Sequence, residues 1–267
     1  MQASIINQPI SNYAELKRQR QAANINFGTL LGDENSNPKI KKNQKQGVLS
    51  KGMNFAPSDS AGKYYGKPWN VCPSASPACI DACLHTAGNP AYMEGKIRAR
   101  LERTKMFFTE RDLFCATLVN EIRKTKRKAD SLGMQCGIRL NATSDIRWES
   151  LKIDGQTLME MFPDIEFYDY TAEPNRKTPS NLHLTFSLKE NNLHLALDEL
   201  KSRRNVAVVF DTPKGKPLPE TWKGFKVIDG DVHDFRPLDP EGVVVGLRAK
   251  GDAIGDTTGF VQKVWEV

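Results

Sequence analysis

The sequence has no long hydrophobic run, because none of its apolar stretches reaches the roughly 18 residues that a membrane-spanning helix needs. Its first thirty residues contain charged side chains and no apolar block, so we expect no secretory signal peptide. Five cysteines in 267 residues are too few, and odd in number, for a disulfide scaffold. These absences exclude secreted, fibrous and integral-membrane classes, so we expect a cytosolic globular protein without membrane contact.

The common nucleotide and zinc-protease motifs are also missing. The sequence has no GxGxxG, no Walker A and no HExxH pattern. Charge, by contrast, is unevenly placed. Residues 1–139 hold 22 Lys and Arg against 11 Asp and Glu, whereas residues 140–267 hold 16 against 21. The basic half can attract nucleic acid or an anionic substrate, or it can be a solvated helix face with a basic tail.

Composition and periodicity divide the chain into three regions. Residues 1–51 are predicted to be a polar arm, extended over 32–50, with a short helix around residues 13–23. Residues 52–135 form an irregular cysteine loop and a basic helical region. Their helices are expected at residues 91–107 and after Thr109 and Asp112, which resemble a capping box. Residues 136–267 form the third region, which is predicted to be barrel-like and integrated with the second.

Six short apolar runs follow residue 136: CGIRLNA, IEFYDYT, LHLTFSL, NVAVVFD, FKVIDGD and GVVVGLR. Candidate helices lie between some of them, at residues 150–161 and 191–203. Alternating strands and helices indicate an α/β fold with a mostly parallel sheet. We expect this sheet to form a partial or complete βα barrel of TIM-barrel-like type, with the cysteine segment and two helices packed on it.

Polar side chains gather where the predicted strands end. Because active sites of parallel α/β folds lie at the carboxyl ends of strands, these side chains are functional candidates. The candidates for positioning or deprotonating a substrate are Asn141, Asp145, Glu149 and Asp169. The candidates for binding an anionic substrate are Arg139, Arg147, Tyr170 and Arg176. On the alternative interpretation, such residues only cap turns.

Three cysteines, Cys72, Cys79 and Cys83, lie in CPSASPACIDACL with C-x6-C-x3-C spacing. In a reducing cytosol this clustering favours a metal centre over a disulfide. Three thiolates in an irregular loop fit an iron–sulfur cluster, most simply 4Fe-4S with one open iron. Zinc and unliganded thiols are the alternatives. His85 and Cys136 are candidate fourth ligands, whereas Cys115 is expected to pack in the core of its helix.

Several segments in a fixed order carry a family resemblance: NPKIKKN, NFAPSDSAG, CPSASPACIDACLHTAG, RTKMFF, GIRLNATSDIRWE, FPDIEFYDYT, HLTFSLKEN, NVAVVFD, LPETW, VIDGDVHDFRPLD and VVVGLRAKG. Over most of residues 37–262 the chain resembles the phage gene product 88 family. The resemblance implies a phage protein acting in the host bacterial cytoplasm, and it supplies no established reaction.

A three-cysteine cluster beside a six-unit barrel also resembles radical S-adenosylmethionine enzymes, which implies S-adenosylmethionine as a cofactor. Two features differ from that family. Its usual spacing is C-x3-C-x2-C, and its cysteines follow the first barrel strand, whereas here they precede every predicted strand.

Two functions of different classes follow. The first is an iron–sulfur enzyme acting on a small-molecule or anionic substrate at the strand ends. The second is a module that binds nucleic acid or a host protein, in which the metal centre is structural. Aromatic residues for base stacking are sparse in the basic arm, which weakens a single-strand model.

Overall fold

Strands of one open sheet form the centre of the computed structural model, which describes residues 13–25, 27–35, 37–83 and 93–264. The strands in these residues are β1 (Val48–Gly52), β2 (Gln135–Arg139), β3 (Glu166–Thr171), β4 (Leu182–Ser187), β5 (Val206–Phe210), β6 (Thr221–Trp222), β7 (Phe225–Asp229), β8 (Val244–Arg248) and β9 (Val261–Gln262). Their order is β1-β2-β3-β4-β5-β8-β7-β6, and β9 pairs with β5. Every pairing is parallel except that of β6 with β7.

All six predicted strands are confirmed, since each apolar run overlaps one of β2, β3, β4, β5, β7 and β8. The prediction of a polar arm was wrong for β1, which lies in the sheet beside β2. The strand was missed because its sequence, VLSKG, is short and half polar, yet Val48, Leu49 and Ser50 are all buried. The cysteine segment therefore follows the first strand, contrary to the sequence-based expectation.

The expected barrel is not present as a closed structure. In the part of the chain that the structure describes, β1 and β6 are the two ends of the strand order and do not pair with each other. The connection from β7 must return to the amino end of the parallel strand β8. It does so across the sheet, where its 3-10 helix Arg236–Leu238 packs on β3 and β4. This connection occupies the face that the interior of a barrel would provide.

The described helices are α1 (Tyr13–Ala22), α2 (Pro38–Lys41), α3 (Ser60–Tyr65), α4 (Pro77–Asp81), α5 (Glu94–Thr109), α6 (Arg111–Ser131), α7 (Leu158–Met161) and α8 (Leu193–Lys201). The predicted capping box of α6 was wrong, because its N-cap is Glu110 and makes no side-chain hydrogen bond. The helix predicted at 150–161 forms only its last turn, α7. Before it, Asp154 and Gly155 both have positive φ and form a tight turn that a helix cannot contain.

The main core lies between β1–β3 and the long helices. Leu118 and Ile122 of α6 pack with Ile138 of β2 and Phe167 of β3, and all four side chains are fully buried. This is the amphipathic stripe predicted for α6, and Cys115 lies in it as expected. None of the helices in the described ranges has both the length and the hydrophobicity needed to span a membrane.

Candidate functional site

The cysteine segment connects β1 to α5, and its first cysteine is fixed beside the turn after β2. The Ser58 N–H donates to Cys72 Sγ at 3.3 Å, and the Cys72 thiol lies 3.7 Å from the Thr143 carbonyl oxygen. The Asp145 N–H donates to the Val71 carbonyl oxygen at 2.8 Å. Since Thr143 and Asp145 follow β2, Cys72 lies at the carboxyl edge of the sheet.

The second cysteine is carried by α4, which the residues after β4 hold in place. Glu190 accepts hydrogen bonds from Ser76 Oγ at 2.6 Å and from the Ala78 N–H at 3.3 Å. Lys189 Nζ donates to the Ser74 carbonyl oxygen at 2.7 Å. The segment therefore spans the carboxyl edge from β2 to β4. Sequence reasoning missed Lys189 and Glu190, because nothing in their own pattern links them to residues more than a hundred positions away.

The thiols of Cys72, Cys79 and Cys83 are all half-buried. Burial raises the pKa of Cys72 to about 12, and the charges of Cys83, Cys79 and Asp145 act in the same direction. Burial likewise raises the pKa of Cys79 to about 11, with Cys83 the next contribution. Cys83 also faces α5: burial lowers the pKa of Arg100, and the charge of Cys83 opposes that effect.

The arrangement of possible metal ligands limits which metal centre the site could hold. Among the described residues, no group of three or more His, Cys, Asp or Glu side chains is arranged so that it could hold a metal ion. Tetrahedral zinc with bonds of about 2.3 Å needs sulfurs only about 3.8 Å apart. An iron–sulfur cluster binds each thiolate on a different iron and so accepts a wider set. The metal centre indicated by the cysteine spacing therefore stays a prediction.

An almost fully buried ion cluster follows β2 and β3 at the same edge. Arg176 Nη1 lies 2.9 Å from Asp145 Oδ1, and Arg176 Nη2 lies 2.6 Å from Glu149 Oε2. Asp145 also accepts the Ala172 N–H at 2.8 Å. Burial raises the pKa of Asp145, although this N–H and the Arg176 guanidinium oppose the rise. The structure thus brings together three of the predicted site residues, with the cation paired to both carboxylates.

Two further candidates, Asn141 and Asp169, support the turn that carries Asp145. The Asn141 side chain bonds the Ile146 backbone at both its N–H (3.0 Å) and its carbonyl oxygen (2.9 Å). Asp169 Oδ1 accepts the Asn141 N–H at 2.8 Å and lies 3.9 Å from Arg139 Nε. Burial raises the pKa of Asp169 to about 8, although Arg139 and the Asn141 N–H act in the opposite direction.

The opposite face of the sheet carries a second buried network, centred on Asp234. Arg139 Nη1 donates to both of its oxygens at 3.0 and 3.1 Å, and the Tyr168 hydroxyl donates to it at 3.3 Å. Asn43 Oδ1 accepts the Asp234 N–H at 2.8 Å. Lys39 Nζ lies 3.5 Å from Asp234 Oδ1. Burial alone would raise the pKa of Asp234, but Arg139, Lys39 and Arg236 hold it below its ordinary value.

Within this network the predicted substrate-binding Arg139 is committed to an internal partner. Tyr170 lies beside it, with the Arg139 guanidinium 4.7 Å from the centre of the Tyr170 ring. Sequence reasoning missed Lys39, Asn43 and Asp234. The first two lay in the segment predicted to be an arm, and GDVHDFR carried too little periodicity to show that Asp234 is buried.

The remaining candidates lie elsewhere. Arg147 is exposed and pairs with Glu173 at the surface. Cys136 is buried in the helix-side core at the amino end of β2, where Lys126, Asp130 and Lys51 are the charges that affect its pKa. The remaining three residues of β2, or about 10 Å, separate it from the carboxyl edge. The structure therefore keeps it apart from the three clustered cysteines. His85 lies outside the described residues.

Comparison with known proteins adds a family. A family model described as Gene product 88 matches residues 29–264. No curated protein and no solved structure is significantly similar to the chain. These comparisons give no support to the resemblance to radical S-adenosylmethionine enzymes.

Proposed function

The chain belongs to the gene product 88 family of phage proteins, and from its geometry we propose an iron–sulfur enzyme whose cluster is bound by Cys72, Cys79 and Cys83. One observation carries the proposal. Cys72 lies beside the Thr143 carbonyl oxygen after β2, and Cys79 lies on α4, which Glu190 after β4 holds, so the cysteine segment lies along the carboxyl edge of a parallel sheet. That edge is where α/β enzymes bind their substrates.

A four-iron cluster with three thiolate ligands has one iron free to bind a substrate or cofactor and to transfer an electron. The chain's own groups prepare the ligands. The Ser58 N–H donates to Cys72 Sγ, and such hydrogen bonds to sulfur raise the reduction potential of a cluster. Lys189 opposes the rise in the pKa of Cys79, which favours its thiolate form.

The adjacent ion cluster supplies candidate proton-transfer groups for a small-molecule or anionic substrate. Asp145 is the best placed, since it influences the pKa of both Cys72 and Cys79 and burial raises its own pKa. Glu149 and Arg176 hold it in position through the ion pairs described above. Asn141 and Asp169 maintain the turn on which it lies.

S-adenosylmethionine is included in the proposal as the ligand of the free iron. Its support is topological: the cysteine segment follows β1, the first strand of a sheet in which β1 to β5 are adjacent and parallel. The C-x6-C-x3-C spacing still differs from the usual one. The host bacterial cytoplasm, a reducing compartment, is the proposed location.

Anaerobic purification followed by iron and sulfide analysis, absorption and electron paramagnetic resonance tests the proposal. We expect a coloured protein that loses its chromophore in Cys72→Ala, Cys79→Ala and Cys83→Ala. Cys115→Ala and Cys136→Ala are matched controls that keep it, because both thiols lie in the core. A colourless protein with stoichiometric zinc would contradict the proposal. A resonance spectrum unchanged by S-adenosylmethionine would remove that cofactor alone.

A further inference from the structure

Four aromatic rings form a continuous row beside the cysteine segment. Tyr64 and Tyr65 end α3, Trp69 follows in the next loop, and Phe108 belongs to α5. Ring centroids are 4.8 Å apart for Tyr64–Tyr65, 5.8 Å for Tyr65–Trp69 and 5.2 Å for Trp69–Phe108, the last pair being parallel within 2°. Tyr64, at one end of this aromatic row, is 69% exposed. An exposed aromatic that continues a packed row presents a surface on which another planar group can stack.

A pocket of about 390 Å³ adjoins the row, with Trp69 and Asn70 in its wall together with Lys63 and Lys67. Asn70 Oδ1 accepts the Cys72 N–H at 2.7 Å, so the pocket lies directly beside the cysteine segment. The aromatic row and the pocket thus form one surface next to the proposed cluster.

The loop that forms the pocket is tightly packed. A Cβ on Gly62 would lie 2.5 Å from the carbonyl oxygens of both Lys67 and Trp69, so this position requires glycine. The Lys67 N–H donates to the Gly62 carbonyl oxygen at 2.8 Å, which closes the loop on α3. Trp69 is therefore held in place before any ligand arrives, which lowers the entropic cost of binding.

Cations surround the row. Lys105 Nζ lies 5.6 Å from the centre of the Tyr65 ring, and Lys67 is exposed in the pocket wall. Arg98 is seven residues before Lys105 on α5 and therefore shares its helix face. The nearby carboxylates are engaged: Asp59 pairs with Lys63 at 3.1 Å, and Glu102 accepts the Tyr65 hydroxyl at 2.7 Å.

From this combination we infer that the aromatic row and its pocket bind single-stranded nucleic acid, with bases on Tyr64 and Trp69 and phosphates on Lys67 and Lys105. Aromatic rings can stack on the bases of a single strand while neighbouring cations contact its phosphates. The basic arm lacked the necessary aromatics, and the fold supplies them from residues 64–69 and from α5. The inference does not depend on the cluster.

The test uses the full-length protein and fluorescence anisotropy of labelled oligothymidylate and oligouridylate of about 15 nucleotides, with a duplex of the same length. We expect both single strands to bind more tightly than the duplex. Tyr64→Ala should weaken this binding about tenfold, whereas Tyr64→Trp, which keeps a stacking surface, should preserve it. The ratio of the two single-strand affinities shows whether RNA or DNA is preferred.

A charge-matched pair of variants tests the cations. Lys67→Ala combined with Lys105→Ala should reduce the slope of log affinity against log salt by about 1–2. Lys214→Ala combined with Lys226→Ala removes the same charge near β7, at the other end of the sheet, and should leave the slope unchanged. Circular dichroism and retention of any chromophore check that each variant folds.

Three results would overturn the inference: no binding of either single strand at low salt, tighter binding of the duplex, or equal losses in the two double variants. Each is independent of whether the cysteines bind iron. A failed cluster assay with retained, Tyr64-dependent binding would leave this inference standing and reject the proposed enzyme.

Discussion

Two buried aspartates on opposite faces of one sheet have opposite electrostatic environments. Asp169 shares the face of Phe167, where the long helices pack, and has one backbone donor and one cation 3.9 Å away. Asp234 lies on the other face, with Arg139 Nη1 donating to both of its oxygens and with the Tyr168 hydroxyl and Lys39 beside it. The pKa of Asp169 is raised to about 8, and that of Asp234 is lowered.

The difference shows how each face is stabilised. The helix side excludes water with aromatic and aliphatic side chains, so a charge there is poorly compensated. The other side is filled by the β7–β8 connection and α2, whose polar atoms satisfy one another. Stability on that side depends on specific hydrogen-bond and ion-pair partners, whereas stability on the helix side depends on the volume and hydrophobicity of the side chains.

The largest expected effect comes from breaking the polar side. Asp234→Ala leaves Arg139 buried without its main partner, so we expect the free energy of unfolding to fall by about 3–5 kcal/mol. Equilibrium urea unfolding measures it. A matched double variant, Arg139→Met with Asp234→Leu, removes both charges and should recover most of the loss. A double variant as unstable as Asp234→Ala would show that the charges themselves are required.

The next effect concerns Asp169 and pH. Its folded pKa lies above the unfolded value of about 3.9, so the native state holds the proton more tightly and stability falls as pH rises from about 4 towards 8. Asp169→Asn cannot lose a proton. We expect it to gain stability relative to the parent by on the order of 3 kcal/mol between pH 5 and pH 8. Parallel stability–pH curves for the two proteins would reject this.

The smallest expected change in stability comes from a substitution in the hydrophobic core on the helix side of the sheet. Phe114 packs with Phe107 at 5.3 Å and Phe55 at 5.9 Å between ring centroids. Phe114→Leu keeps an apolar side chain of similar volume, so we expect a loss of only about 1 kcal/mol, measured by the same urea titration. A loss as large as that of Asp234→Ala would mean that this side also depends on specific partners.

Local pattern was a good guide to the strands and the long helices. NVAVVFD and GVVVGLR are buried on both sides, so their composition alone indicates strands. The α6 stripe from Phe114 to Ile122 repeats every three to four residues, as an amphipathic helix requires. Local pattern failed for β1, where Ser50 pairs with Gly137 of β2 and Lys51 forms an ion pair with Glu34.

Local sequence pattern likewise identified some residues of the candidate site and missed others. The cysteines were found because their spacing is unusual on its own. Asp145 and Arg176 were both identified, but their mutual ion pair was not, since thirty residues, including α7 and β3, separate them. Lys189, Glu190, Asn43 and Asp234 carry no local signal, and only their contacts reveal their roles.

The order of residues by itself determined six of the strands, the amphipathic stripe of α6 and the place where sulfur donors cluster. These properties depend on a few neighbouring side chains and on hydrophobic periodicity. Only the tertiary structure decided that the sheet stays open, that β1 precedes the cysteine segment and that Tyr64 and Trp69 adjoin it. Such outcomes depend on contacts between residues far apart in sequence, and those contacts are set by packing the whole chain at once.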